Sequence, residues 1–315
     1  MQLRYLLLCS AVVLMGCCHP AAAAAQEPPC YVTGEGVSDV TCSASASLQE
    51  IGDFLKQLSS SNGVTEYNKF GLYDNLVVQH LPAGLLADLR FSVVEVMSCS
   101  NLTKVDDFLG ASSASLKNLS MNGNSLTEIP QLNAPALQNL RIFQSDITVV
   151  ARRSALQGMP NIEEIKLERA SATPLAFYDL KLLKNLYVYG VDGGSPFPAG
   201  SFHFDSPALS VVFLAGGYDF KGEAEPGTYD GFPSGSRLWI QKTPKFSADL
   251  YFNLLSRGAR IESPEPVTCD CHVAWIRLST FLPQTGVRCH SHMWPIDLSA
   301  VDEANFKDCG TICSV

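Results

Sequence analysis

The sequence lacks the short motifs that place catalytic groups in enzymes. It contains no Gly-x-Ser-x-Gly turn, no glycine-rich phosphate-binding loop and no His-Glu-x-x-His helix. His80 precedes a Leu-Pro turn, His203 stands between two phenylalanines, and neither has an evident catalytic partner. We therefore expect a non-catalytic protein without a cofactor. A site assembled from distant segments is the alternative that the sequence leaves open.

Positive charge is scarce. Lysine and arginine number 22 against 31 acidic residues, which gives a formal net charge of -9. Loss of an N-terminal segment that contains Arg4 and no acid makes the net charge about -10. No basic cluster interrupts this negative balance, so we expect neither a nucleic-acid partner nor an anionic-membrane partner.

Long apolar runs are confined to the N-terminus. Tyr5 to Met15 is apolar and is followed by the small residues Ala21 to Ala25. Residues 1–25 are therefore predicted to be a secretory signal peptide. The alternative is a bacterial lipoprotein site, Leu14-Met15-Gly16-Cys17.

The remaining chain offers no membrane anchor. No later apolar run is long enough to cross a bilayer, and Asp308 to Val315 is not an anchor signal. The triplets Asn101-Leu102-Thr103 and Asn118-Leu119-Ser120 favour a eukaryotic secretory route with glycosylation at Asn101 and Asn118, although such triplets also arise by chance. We expect a soluble, secreted, extracellular protein.

The sequence does contain a repeated leucine pattern. Leu116 to Pro130, L-K-N-L-S-M-N-G-N-S-L-T-E-I-P, fits the template L-x-x-L-x-L-x-x-N-x-L of one leucine-rich repeat. Eight segments, 21 to 26 residues apart, fit the same template, and their fourth positions are Phe70, Val94, Leu119, Leu140, Ile165, Leu186, Val212 and Leu238. One repeat cannot bury its own apolar face, whereas stacked repeats form a continuous core.

The predicted fold is an α/β solenoid. Its leucine-rich repeats, residues 67–262, form an arc with a parallel sheet on the concave face, between disulfide-bonded N-terminal and C-terminal caps. The N-terminal cap, residues 26–66, contains an amphipathic helix at Ser47 to Leu58 and a predicted Cys30–Cys42 disulfide. Residues 263–315 form the cysteine-rich C-terminal cap.

The concave face carries the candidate binding site. Positions five and seven of each repeat point outwards from the sheet, and aromatic side chains concentrate there towards the C-terminus. The predicted partner-binding residues are Phe143, Tyr187, Tyr189, Phe213 and Trp239, with a charged centre of Arg141, Lys166 and Glu168. The alternatives are that a C-terminal loop covers these rings, that the rings only stiffen the sheet, and that the charged centre is simply solvated.

The cysteine count fits an oxidising compartment. Eleven cysteines become eight once Cys9, Cys17 and Cys18 leave with the signal peptide. Cys99 is predicted to be a buried thiol, with a disulfide as the alternative. Cys313 suits an intermolecular disulfide to a partner, or a bond to Cys99 if the tail folds back.

A zinc site competes with disulfides near the C-terminus. Three cysteines and two histidines lie close together there, and thiolates and imidazoles are zinc ligands. These residues are Cys269, Cys271, Cys289, His290 and His292. A Cys-x-Cys pair in a secreted cap is usually oxidised, so we expect no metal.

The segment from Cys269 to Ile276, with Cys289 and Cys309, resembles the C-terminal cap of extracellular leucine-rich repeat proteins. The resemblance implies the disulfides Cys269–Cys289 and Cys271–Cys309, with Trp275 packed on the last repeat. Sequence alone leaves three connectivities open for these four cysteines.

A second resemblance rests on three N-terminal segments: Phe70 to Leu76, Leu81 to Leu89, and Phe91 to Val96 running into Leu102-Thr103. They resemble an arthropod group of extracellular leucine-rich repeat proteins, and this group is similar to the non-catalytic subunit of oplophorus-luciferin 2-monooxygenase. This resemblance implies a secreted protein that associates with a small catalytic subunit. The alternative function is an extracellular matrix or innate-defence protein that recognises glycans or microbial surfaces.

Overall fold

A computed structural model describes residues 28–34, 38–61, 63–144, 147–190, 196–216, 223–243, 246–291 and 293–309. The predicted signal peptide, His292 and Cys313 lie outside these described residues.

The described chain is dominated by short strands. In chain order they are β1 (Cys30–Thr33), β2 (Asp39–Cys42), β3 (Glu66–Tyr73), β4 (His80–Leu81), β5 (Arg90–Met97), β6 (Lys104–Val105), β7 (Asn118–Asn122), β8 (Asn139–Phe143), β9 (Val149–Ala151), β10 (Glu164–Glu168), β11 (Ala170–Ala172), β12 (Asn185–Tyr189), β13 (Val211–Leu214), β14 (Arg237–Ile240), β15 (Arg260–Glu262), β16 (Thr285–Gly286), β17 (Arg288–Cys289) and β18 (Ile296–Asp297). The α-helices are α1 (Leu48–Ser61), α2 (Arg153–Leu156), α3 (Ala248–Ser256) and α4 (Cys271–Arg277), and 3-10 helices cover Gly110–Ala114, Leu282–Gln284, Leu298–Ala300 and Glu303–Phe306.

Twelve strands form one large sheet in the order β1-β2-β3-β5-β7-β8-β10-β12-β13-β14-β15-β16. Only β1 and β2 pair antiparallel in this sheet, and every later neighbour pair is parallel. The strands of this sheet stand in chain order. The intervening strands β4, β6, β9 and β11 pair with one another in two smaller sheets.

The strand register matches the repeat pattern of the sequence. The eight fourth-position residues stand opposite one another in successive strands, and the row continues from Leu238 to Ile261. Fourth-position and sixth-position side chains, such as Leu119 and Met121, are buried. Because side chains alternate along a strand, positions three, five and seven lie on the opposite face.

Buried side-chain amides hold the turns that follow several strands. Asn75 is fully buried; its amide nitrogen donates to the Ala46 carbonyl at 2.8 Å, and its oxygen accepts from the Val78 amide at 2.8 Å. Asn124 donates to the Val96 carbonyl at 3.0 Å and accepts from the Cys99 amide at 3.1 Å. These bonds satisfy backbone groups that burial would otherwise leave unpaired.

Aromatic rings fill the core between the later strands. Phe177, Phe202, Tyr229 and Tyr251 stack in succession, with centroid distances of 6.1, 5.7 and 5.5 Å. All four are buried. This stack packs segments that differ in length and sequence, which the leucine template does not describe.

The two ends of the sheet are cross-linked. The Cys30–Cys42 disulfide joins β1 to β2, and α1 buries Ile51, Leu55 and Leu58. Helix α1 begins with a reciprocal cap in which the Ser47 amide donates to Glu50 at 2.8 Å.

At the other end, disulfides join Cys269 to Cys289 and Cys271 to Cys309, which are the pairings that the resemblance implies. Trp275 is buried, and its indole nitrogen donates to the Phe246 carbonyl at 2.7 Å. None of the described helices is long and apolar enough to span a bilayer.

Candidate functional site

The candidate site is a group of aromatic side chains on the face of the sheet opposite the leucine core. We call Phe143, Tyr187, Tyr189, Phe213 and Trp239 the aromatic patch. The register sets Tyr187 opposite Phe213 and Phe213 opposite Trp239, so these three side chains occupy one row across β12, β13 and β14. All five side chains are half-buried.

The five rings form an unbroken set of contacts. Phe213 and Trp239 stack with their centroids 4.1 Å apart and their planes 9° from parallel. Phe213 also contacts Tyr187 at 6.0 Å and Tyr189 at 5.5 Å. Tyr189 contacts Phe143 edge to face at 5.9 Å. Such pairs contribute about 0.5–1.5 kcal/mol each beyond simple burial, so the patch is pre-ordered.

The contact between Phe143 and Tyr189 was not expected from the sequence. Their strands, β8 and β12, are separated by β10, and Glu168 stands opposite both residues in the register. The two rings therefore approach each other above the backbone of the intervening strand. Sequence position predicted the shared face, but side-chain torsions decide which rings meet.

Two cations border the aromatic patch on its N-terminal side. The Arg141 guanidinium lies 4.3 Å from the Phe143 centroid, and the Lys166 ammonium lies 5.2 Å from the Tyr187 centroid. Two members of the predicted charged centre, Arg141 and Lys166, thus contact the patch directly. Lys166 forms its ion pair with Glu164, at 2.6 Å. Glu164 occupies position three, which the sequence-based choice of positions five and seven left out.

On the C-terminal side, a second ion pair borders the patch. Arg237 pairs with Glu262 at 3.2 Å, and Glu262 is the register neighbour of Trp239. Gln241, the residue after β14, donates to Glu265 at 3.3 Å and accepts from the Gly216 amide at 3.1 Å. Protein interfaces have the same arrangement, with apolar rings at the centre and polar groups at the rim.

The N-terminal half of the same face is more polar. Tyr73 folds over Gly71, where an added Cβ would collide with the Tyr73 ring, and the Tyr73 hydroxyl donates to Glu95. Lys69 lies 3.6 Å from Glu95 and 3.7 Å from Asp39. Burial, together with the bond to Glu95, raises the pKa of Tyr73. This network joins β2, β3 and β5.

The competing zinc site is not assembled. Cys269, Cys271 and Cys289 are all in disulfides, so they present no thiolate to a metal. Among the described residues, no group of three or more His, Cys, Asp or Glu side chains is arranged to hold a metal ion.

Two open cavities are lined by residues outside the aromatic patch. A cavity of about 410 Å³ is bordered by Lys104, Asp106 and Glu128, and another of about 560 Å³ by Lys242, Glu265 and His290. Asp106 also accepts from His80 at 2.8 Å, and that bond lowers the pKa of Asp106. Both cavities are open and carry charged residues in their lining, unlike an enclosed apolar small-molecule site.

The sequence matches no protein-family model and no curated protein sequence. Among solved structures it is similar to a leucine-rich repeat chain in the crystal structure of a TLR13–ssRNA13 complex, with 11% sequence identity and a TM-score of 0.22. The match covers 82% of this chain and 59% of that chain. At this TM-score the likeness carries no argument about binding or activity.

Proposed function

We propose that the protein is a secreted, non-catalytic leucine-rich repeat protein that binds a protein partner through the aromatic patch. The observation that carries the proposal is the unbroken contact among five rings that nevertheless remain partly exposed. Exposed, clustered aromatic side chains mark binding surfaces, and tryptophan and tyrosine dominate the binding energy of interfaces.

The repeat architecture supports this proposal. Eight template matches align residue by residue in a parallel sheet whose neighbours follow chain order. Stacked repeats of this kind present one long face to partners. The three disulfides among the described residues suit an oxidising extracellular compartment.

Ring orientation favours a protein partner over a glycan. Phe213 and Trp239 cover one face of each other, while Arg141 and Lys166 lie over Phe143 and Tyr187. Each contact occupies one face of the ring concerned, which leaves less flat ring surface for a sugar to stack on. A sugar stacks on an open ring face, whereas apolar and aromatic side chains pack well against ring edges.

The finer proposal for the partner comes from the resemblance to the oplophorus-luciferin 2-monooxygenase group. The proposed partner is a small catalytic subunit that carries the chemistry of an extracellular complex. In that case this chain stabilises the complex and contributes no reacting group. Turnover of luciferin by the purified chain alone would contradict the non-catalytic assignment.

Alanine substitution of the patch tests the proposal. The Tyr187→Ala/Trp239→Ala variant removes two rings, and we expect it to lose at least about tenfold in affinity for the partner that co-purifies in fixed stoichiometry from the source fluid. Trp294→Ala is the matched control, because Trp294 is 78% exposed and lies in the loop between β17 and β18, off the patch. Circular dichroism verifies that both variants fold.

The outcomes separate the candidate functions. Equal partner binding by the patch variant and the control would overturn the proposal. A different outcome would assign the matrix or defence function instead. In that case the wild type binds a glycan array, the patch variant does not, and no protein co-purifies in fixed stoichiometry.

A further inference from the structure

Leu76 and Val77 form an exposed apolar pair between β3 and β4. Their exposed fractions are 59% and 49%. The pair is held in place, because the buried Asn75 side chain accepts hydrogen bonds from the Val77 amide at 2.9 Å and from the Val78 amide at 2.8 Å. The fold therefore fixes two adjacent apolar side chains in solvent.

Asn101 lies directly beside this pair. Its side-chain nitrogen Nδ2 donates to the Leu76 carbonyl oxygen at 2.6 Å, and the residue is exposed. Asn101-Leu102-Thr103 is an acceptor sequence for N-linked glycosylation. Leu102 is buried, so the backbone that carries Asn101 is anchored in the core.

We propose that an N-linked glycan on Asn101 covers Leu76 and Val77. During transfer, the Asn101 amide nitrogen forms a bond to the anomeric carbon of a lipid-linked oligosaccharide. The carbon–oxygen bond to the lipid diphosphate breaks, the diphosphate leaves with the electron pair, and the nitrogen releases one proton to the solvent. The nitrogen keeps its second hydrogen, which continues to donate to the Leu76 carbonyl. The first sugar consequently starts within contact distance of Leu76, and its C–H face packs on the two side chains.

The second acceptor sequence provides an internal contrast. Asn118 is at position three of its repeat and begins β7, on the polar part of the sheet face, where its side-chain oxygen accepts from Asn139 at 2.8 Å. A glycan there lies over polar neighbours rather than over Leu76 and Val77. The proposal rests on the secretory route of the proposed function but is independent of the aromatic patch.

Hydroxyl-radical footprinting with mass spectrometry tests the proposal on full-length protein secreted from eukaryotic cells. The informative variant is Thr103→Val, which removes the acceptor sequence while keeping Asn101 and its hydrogen bond. We expect more oxidation of Leu76 and Val77 in Thr103→Val than in the wild type. Asn118→Gln is the matched control and should leave both residues protected. Val64, which is 49% exposed, should be oxidised equally in every sample.

Enzymatic trimming to one N-acetylglucosamine should preserve the protection, because the first sugar makes the contact. An unglycosylated Asn101 in the secreted protein, or equal oxidation of Leu76 and Val77 with and without the glycan, would overturn the proposal. Either result would leave partner binding by the aromatic patch intact. Failure of the chain to enter the secretory pathway would overturn both.

Discussion

At the scale of single residues, Cys99 shows how position in the repeat determines chemistry. It occupies the place that Asn124 fills in the next repeat, and it is a free, fully buried cysteine. Its sulfur lies 3.5 Å from the Met97 carbonyl oxygen and 3.7 Å from that of Leu72. Burial raises the pKa of the Cys99 thiol, so the reactive thiolate is suppressed in the folded protein.

We therefore predict that Cys99 resists alkylation in the native protein and reacts after unfolding. Maleimide labelling at mildly alkaline pH, followed by peptide mapping, measures Cys99 separately from Cys313. The raised pKa means that the thiolate forms only at a higher pH than in the unfolded chain, so the ratio of unfolded to native labelling should narrow only above the pKa of the unfolded thiol. Rapid native labelling of Cys99 would contradict this prediction.

The residue scale also marks where sequence reasoning stops. The template correctly placed Tyr187, Phe213 and Trp239 in one row, because side-chain alternation and strand register determine a row. It did not predict that Lys166 pairs with Glu164, at 2.6 Å. Several carboxylates lie within reach of a flexible lysine, and the choice among them depends on torsions that a repeat template does not contain.

At the scale of elements, two glycines that both have room for a side chain differ in the backbone conformation they adopt. Gly52 lies within helix α1, whereas Gly84 adopts a positive φ of 69° in the turn after β4. An added Cβ would meet nothing within 4 Å at either position. Any difference between alanine substitutions at these two sites therefore comes from the backbone and not from packing.

We predict that Gly52→Ala stabilises the protein by about 0.5–1 kcal/mol, because alanine loses less entropy in a helix. Gly84→Ala should destabilise it by about 1 kcal/mol, because an L-residue is strained in the left-handed region. Denaturant unfolding of the wild type and both variants measures the two signs. Stabilisation by both alanines would show that the Gly84 turn tolerates an L-residue without strain.

Element boundaries and connections were predicted unequally well. The helix predicted at Ser47 to Leu58 is observed as α1, Leu48–Ser61, because its apolar periodicity and first-turn cap are local signals. The ring stack of Phe177, Phe202, Tyr229 and Tyr251 was not predicted. Those rings lie in the segments between the strands of the main sheet. Because these segments differ in length from repeat to repeat, the template cannot align their residues as it aligns the leucine positions.

At the scale of the whole molecule, strands adjacent in the main sheet follow one another in chain order. Each strand depends mainly on its two neighbours, so structure can be lost at one end while the middle persists. The C-terminal end is closed by the Cys271–Cys309 disulfide, which spans 38 residues, and by Arg277, which donates to the Val301 carbonyl at 2.9 Å and pairs with Glu303 at 2.8 Å.

We predict that the Cys271→Ser/Cys309→Ser variant loses roughly 4 kcal/mol of stability in the C-terminal cap, because the unfolded chain regains the conformational entropy that the disulfide removes from it. Hydrogen exchange with mass spectrometry should show faster exchange in α4 and Glu303–Phe306, while β7 and β8 remain as protected as in the wild type. The matched variant Cys30→Ser/Cys42→Ser opens a loop of 12 residues and should accelerate exchange at β1 and β2 instead. If hydrogen exchange accelerates equally along the whole sheet in either variant, the chain unfolds as a single cooperative unit. Loss of structure at one end would then reach strands that do not contact the broken disulfide.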